Sequence, residues 1–264
     1  MGLSVITAES EGGFTPPSAA DFWQPLFGTD GNTAITRSMI VILLSVVLIA
    51  IPFVLVSRRM QVVPTKGQYL LESVYDFIRD GVAIDLLGEK NFRAFLPLLL
   101  TQFMLILVNN VFGIIPPVQF PTMSRIGFPI VLTLITFVVY HYVGIRRRGL
   151  GGYFASLMPP GVPGWIAPMV YLLELITFFI TRPLTLAVRL FANMFAGHMM
   201  LLVFMLGAEY LLLEGAGVVK LAGVASFAMA IIMTFFELLV QALQAYVFVL
   251  LTAFYIAGSL ADEH

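Results

Sequence analysis

Residues 181–200 read TRPLTLAVRLFANMFAGHMM. The stretch is apolar enough to lie in a bilayer, yet it holds Arg182, Arg189, Asn193 and His198. An arginine at the centre of a membrane helix costs roughly 2.5–3.5 kcal/mol on insertion scales. A chain that keeps Arg189 there has a use for it. A place beside a proton pathway is the expectation against which the rest of the sequence is read.

Working outward, a helical repeat of ~100° per residue puts Arg182, Thr185, Arg189, Asn193 and Met200 on one stripe. His198, nine residues after Arg189, faces the opposite side. Polar groups on two sides of a membrane helix need polar neighbours on both. The last apolar run supplies Glu237, Gln241 and Gln244, spaced i, i+4 and i+7. Gly215 and Gly217 mark a hairpin turn between the two runs. His198 lies 17 residues before Gly215 and Glu237 lies 22 after it; Arg189 lies 26 before and Gln244 29 after. Antiparallel pairing about that turn predicts His198 beside Glu237 and Arg189 beside Gln244. An imidazole and a carboxyl can pass protons, and an amide can bond to both without taking charge.

The whole chain agrees with a membrane setting. It has 264 residues, 59% hydrophobic and 11% charged, with a mean hydropathy of +0.97. Soluble domains carry about 25% charged residues. The fold class is an all-α integral membrane protein, because a β-barrel would read as short alternating segments. The net charge of −1 suggests no nucleic-acid partner. The absence of cysteine removes disulfides and thiolate chemistry. His141, His198 and His264 stand apart in sequence, so no metal or cofactor is expected.

Apolar runs at 38–56, 94–115, 126–145, 165–213 and 218–260 give five crossings of ~20 residues or more. As one helix, 165–213 would exceed ~70 Å at ~1.5 Å per residue. It must tilt, break or run along the membrane plane, and Pro183 is a candidate bend. Residues 66–87 alternate Leu70, Leu71, Val74, Phe77 and Ile78 with Lys66, Glu72, Asp76, Arg79 and Asp80. That pattern is an amphipathic surface helix that does not cross. Residues 1–36 read as an exposed N-terminal arm, with Phe22, Trp23 and Phe27 as interface anchors. Residues 37–264 read as a single transmembrane proton-channel domain ending in a long tilted hairpin. Arg58, Arg59, Lys66, Arg146, Arg147 and Arg148 share one side of the membrane, with Lys220 the exception. The positive-inside rule makes that side cytoplasmic, with the N-terminus outside and the C-terminus inside.

Plainer roles stand beside these. His198 alone could be one half of a satisfied interhelical bond, and Asn110 alone reads as helix–helix glue. Arg182 either snorkels or joins the site. Glu174 is an exit-side proton carrier or an interfacial acid. An ion-coupled secondary transporter is the main alternative, but it calls for an internal repeat that is not seen. An intramembrane hydrolase calls for a nucleophile and base or a His-Glu-x-x-His motif. A scaffold leaves Arg189 and Glu237 unexplained.

Several stretches together resemble the a subunit of F-type ATP synthases: RLFANMFAGH at 189–198, ELLVQALQAY at 237–246 running on to Tyr255, and NVFGIIP at 110–116. Pro121-Thr122, Glu174 and the Arg182-Pro183 pair add to it, and the likeness covers nearly all of the chain after the arm. The resemblance implies a non-catalytic stator subunit of the Fo sector, packed against a c-subunit ring. It also implies b-type stator stalk subunits and membrane lipid as partners, with F1 contacted indirectly. Carried over by motif, Arg189 is the essential arginine facing the ring carboxylates, with Gln244 near it and Asn193 one turn along. His198 and Glu237 match an inlet half-channel pair; many bacterial members carry these two types exchanged. Asn110 matches an inlet-side asparagine and Glu174 an acid near the inner half-channel, with Gln241 on the same α-helical line as Glu237. Gly113 stands where some members have an acid. Two offset half-channels would then couple proton flow to rotation and ATP synthesis. A bacterial plasma membrane is the expected location, an organelle inner membrane the alternative.

Overall fold

The computed structural model describes residues 25–27, 35–115, 121–158 and 161–261. Phe22, Trp23 and His264 lie outside them. A short antiparallel pairing of β1, Pro25–Phe27, with β2, Ile35–Thr36, precedes the helices. The helices are α1 Arg37–Ser57, α2 Lys66–Ile78, α3 Asp85–Ile114, α4 Gly127–Ala155, α5 Ala167–Ile176, α6 Arg182–Leu213 and α7 Val219–Leu260. Five helical segments are long and apolar enough to cross a membrane: Ser38–Ser57, Lys66–Ile114, Gly127–Ala155, Ala167–Leu213 and Val219–Leu260. The protein is an all-α integral membrane protein.

The amphipathic limb begins at Thr65, whose hydroxyl accepts the Gln68 N–H and caps α2. A π turn, Arg79–Ile84, joins it to α3. The chain then turns at Gly88, where φ is 73°, a conformation that glycine adopts without a Cβ penalty. The apolar face differs from the expected one. Leu70 and Phe77 are 64% and 51% exposed, while Ile78, Val82 and Ala83 are fully buried. The reason is tertiary: the second half of the limb sits under α3 and α7, with the Phe77 ring 6.0 Å from that of Phe103 and 5.5 Å from that of Tyr246. Only its first half is a surface helix.

The long run 167–213 does not break. A π turn, Thr177–Thr181, joins α5 to α6 just ahead of Pro183. Proline lacks an N–H and crowds the preceding turn; a wider turn makes room for it. The α6–α7 hairpin turns where expected. Gly217 has φ 56°, and a Cβ on Gly215 would overlap the Leu211 carbonyl oxygen. Ser226 Oγ donates to the Phe204 carbonyl at 2.9 Å across the pair. Gly223, under Leu211 and Leu212, lets the backbones approach.

α3 packs against α1 and α7, and α4 packs against α6 and α7. Leu99, Ile106, Leu190, Phe248, Val249 and Ile256 are fully buried in the core. Side-chain hydrogen bonds also tie the helices. Gln102 Nε2 donates to Thr136 Oγ1 at 3.0 Å, and that hydroxyl lies 3.3 Å from Thr252 Oγ1. Asn109 Nδ2 donates to Ser45 Oγ at 2.8 Å, holding α1. Such bonds contribute about 0.6 kcal/mol on average and up to ~1.7. Asn109→Leu is therefore expected to loosen α1 by about 1 kcal/mol, seen as faster tryptic cleavage after Arg58 and Arg59. An unchanged cleavage rate would contradict it.

At the other end of α4, Gly149 has φ 71° and bends the chain. The Tyr153 ring then lies on Gly144, where a Cβ would meet ring carbon Cε2 at 2.5 Å. Arg148 donates to the Ala261 carbonyl, fastening the end of α7.

Candidate functional site

A buried polar line runs along the α6–α7 interface. Its α7 members, Glu237, Gln241 and Gln244, share a face through their spacing and are 5%, 2% and 4% exposed. Gln241 Nε2 donates to Glu237 Oε1 at 2.6 Å. From α6, Asn193 Nδ2 donates to Gln244 Oε1 at 2.9 Å. From α3, Asn110 Nδ2 donates to the Gln241 carbonyl at 3.2 Å. Asn110 is thus the helix–helix link its residue type suggested. Buried polar atoms are normally all paired. Here Glu237 Oε2, Gln241 Oε1, Gln244 Nε2 and Asn110 Oδ1 keep unused bonding capacity among the described residues. A line with spare donors and acceptors can take up water or a proton.

His198 is 7% exposed. Glu237 meets α6 at the preceding residue: a Cβ on Gly197 would lie 2.9 Å from Glu237 Oε1 and 3.0 Å from its Cδ. Glycine there provides the space that the carboxyl occupies, next to the imidazole-bearing residue. A cavity of about 180 Å³, lined by Gly113, His198, Leu202, Met205 and Thr234, opens beside the histidine. A Cβ on Gly113 would overlap the end of the Met194 side chain, so an acid at 113 would have to displace it. Gly197→Val is expected to push the carboxyl away and to destabilise the folded chain by about 1–3 kcal/mol, read as a lower midpoint of thermal unfolding. An unchanged midpoint would contradict the close fit at Gly197.

Arg189 lies on the other side of α6, as the nine-residue offset requires. It is exposed and makes no hydrogen bond or ion pair with any described residue. Gln244 is buried and bonded to Asn193, one turn along α6 from Arg189. Ala192 and Ala196 are exposed on the same face as Arg189. Small residues of this kind let another helix approach closely. Among the described residues no group of three or more His, Cys, Asp or Glu could hold a metal ion.

The family model described as ATP synthase A chain matches residues 39–257. The chain belongs to the ATP synthase A chain family. It is 41% identical to ATP synthase subunit a of Pseudarthrobacter chlorophenolicus over 261 residues, covering 98% of each chain. It is 40% identical to ATP synthase subunit a of a Nocardioides species, covering 98% of each. The same-named protein of Streptomyces lividans is 42% identical over 96% of this chain and 90% of its own. The residues matched to the ATP synthase A chain family include every member of the polar line and Arg189.

Two candidates of this A-chain family member sit elsewhere. The Arg182 guanidinium lies 3.5 Å from the centroid of the Phe178 ring and 5.2 Å from that of Tyr255. It is held by aromatic faces. Glu174, half-buried on α5, makes no side-chain bond to a described residue and is not gathered into the polar line. The structure adds a cluster not foreseen from sequence. Tyr140 Oη donates to the Phe178 carbonyl at 2.9 Å, and His141 Nδ1 lies 2.9 Å from the Phe137 carbonyl. The His141 ring is 4.3 Å from that of Tyr140 and 4.6 Å from that of Phe179. Phe137 and Tyr140 share α4 with His141, while Phe179 joins the cluster from a turn far along the chain.

Proposed function

We propose that this ATP synthase A chain family member is the proton-translocating stator subunit of the Fo sector, itself non-catalytic, with Arg189 facing the carboxylates of a c-subunit ring. The observation that carries this reading is the setting of Arg189. It is a permanent cation in the middle of a membrane helix, exposed, with no partner among the described residues. Such a charge is costly in the bilayer, and an anion beside it offsets that cost. The anion must come from outside the chain, and a ring of membrane-embedded carboxylates supplies one.

In this mechanism a proton enters the outer half-channel past Asn110, Glu237 and His198 through the cavity beside the histidine. Gln241, Gln244 and Asn193 would orient the water that carries it on, without taking charge themselves. The proton neutralises a ring carboxylate, which can then face lipid. Arg189 offsets the charge of the next ionised carboxylate, whose exposure to lipid is costly. Arginine does not deprotonate in proteins, so protons cannot hop through it between half-channels. Glu174, on the inner side, receives the outgoing proton. A proton crossing ~150–200 mV releases about 3.5–4.6 kcal/mol, which biases rotation.

Orientation follows charge. Arg58, Arg59, Lys66, Arg79, Lys90, Arg93, Arg146, Arg147 and Arg148 flank one set of helix ends, against Arg37, Arg125 and Lys220 at the other. The nine-to-three excess makes the first side cytoplasmic, with the N-terminus outside, the C-terminus inside, and a bacterial plasma membrane as the location. The arm, 1–36, stands outside the transmembrane unit, 37–264. The exposed sides of α1 and of the first half of α2 are available to b-type stalk subunits, through which F1 is reached indirectly. Reconstituted in vesicles, the whole complex with Arg189→Ala is expected to hydrolyse ATP without acidifying the lumen. Normal acidification would contradict the proposal.

A further inference from the structure

α1 is joined to α3 at its outer end, and the chain leaving its other end is joined to α2. At the outer end Ser45 bonds Asn109, and Val41 packs with Phe112 and Val108. At the other end the chain leaving α1 is tied to α2, because Gln68 Nε2 donates to the Gln61 carbonyl at 3.0 Å and Gln68 Oε1 accepts the Gln61 N–H at 3.2 Å. Gln68 is 4% exposed, so this tie is built into the fold. The gap left between the ties is an apolar crevice of about 380 Å³, walled by Ala50 and Phe53 of α1 and Pro97, Leu100 and Thr101 of α3. Thr101 turns its hydroxyl to its own helix, donating to the Pro97 carbonyl at 2.7 Å. Its methyl therefore faces a crevice that offers nothing polar.

The crevice continues into a second hollow. This one, of about 520 Å³, shares Pro97 and Leu100 with the first and is walled further on by Tyr75, Arg79, Phe92 and Arg93. An apolar slot that leads at the helix ends into a pair of arginines matches one ligand shape: an acyl chain bearing an anionic headgroup. We propose that this crevice binds one anionic phospholipid, its chain between α1 and α3 and its phosphate against Arg79 and Arg93. Arg93 has no ion pair among the described residues and lies over the Phe92 ring at 5.8 Å. Arg79 is shared with Asp76 at 3.5 Å and Asp80 at 3.6 Å, both solvent-exposed pairs. Exposed pairs are weak, so a phosphate displaces them at little cost. A transmembrane helix of a partner is too large to enter. A cylinder ~10 Å across with a 5.4 Å pitch fills roughly 400 Å³ per turn, so such a helix could cover the mouth only. Assignment of the lipid to the inner leaflet rests on the orientation proposed above; the headgroup preference does not.

The test uses the whole complex in lipid nanodiscs. Phosphatidylglycerol and phosphatidylcholine carrying the same diazirine-bearing acyl chain are compared by mass spectrometry of the labelled peptides. Phosphatidylglycerol is expected to label residues 97–104 roughly fivefold more than phosphatidylcholine, about the factor that one surface arginine contributes. The double variant Arg79→Gln, Arg93→Gln is expected to lose that preference. Ala50→Trp, which fills the crevice and leaves both arginines, is expected to lose the label with either lipid. Equal labelling of the unsubstituted chain by the two lipids would overturn the proposal, leaving ordinary boundary lipid. So would labelling that survives Ala50→Trp, or an unlabelled crevice whose walls crosslink to a partner's helix.

Discussion

Arg189→Ala is expected to reduce proton-driven ATP synthesis at least ~100-fold. An ionised carboxylate entering this interface without a compensating cation loses roughly 3–5 kcal/mol, and two orders of magnitude in rate correspond to ~2.7 kcal/mol. Nothing else on the exposed face of α6 replaces the charge, since Val188, Ala192, Ala196 and Met200 surround it. Arg189→Lys is expected to fail as well. A lysine shifts its protonation readily when desolvated, and it lacks the fixed guanidinium fork. On the proposed reading, the alanine variant in vesicles should also let protons leak passively, because the cation proposed to separate the half-channels is gone. Synthesis within about tenfold of the unsubstituted rate by either variant would contradict the role given to Arg189.

The second large effect concerns the carboxyl and the imidazole on either side of the α6–α7 interface. Glu237→Leu is expected to lower proton uptake about 10²–10³-fold, within the range of a positioned proton-transfer group. The leucine removes the only acid of the buried line and leaves Gln241 Nε2 without its 2.6 Å acceptor. His198→Glu alone would place a second acid beside Glu237. Two like groups in one buried site cannot both ionise, so this single variant is also expected to be slow. The double variant His198→Glu, Glu237→His restores one carboxyl and one imidazole, and Gly197 leaves room for the exchange. It is expected to recover at least about a tenth of the unsubstituted rate. A double variant no faster than the slower single one would show that side-chain identity at each position, not the pair, is what counts.

Much of this arrangement is legible in the sequence because membrane helices make two simple demands. Apolar length reveals the crossings, and the polar residues that interrupt it reveal the interfaces. The spacing of Glu237, Gln241 and Gln244 and the nine residues between Arg189 and His198 therefore translate directly into faces. Pairing by distance from Gly215 correctly brings the Glu237 carboxyl to the α6 turn bearing His198. It also brings Gln244 to Asn193, one turn along α6 from Arg189, although the bond itself is made to the asparagine. The inward half of the limb, Ile78 to Leu87, reads as surface because its partners on α3 and α7 are remote in sequence. The same remoteness hides the approach of Phe179 to His141 and of Tyr255 to Arg182. The π turn at Thr177–Thr181 has no sequence signal beyond Pro183 itself.

The most direct measurement is a disulfide crosslink within the whole complex. The chain contains no cysteine, so one introduced thiol is unique. Ala192→Cys sits one turn from Arg189 on the exposed face of α6, and Val54→Cys sits on exposed α1 as a control. With a second cysteine beside the ring carboxylate, mild oxidation is expected to join Ala192→Cys to the ring in high yield and Val54→Cys in none. Equal or absent crosslinking at the two positions would mean that the Arg189 face does not meet the ring.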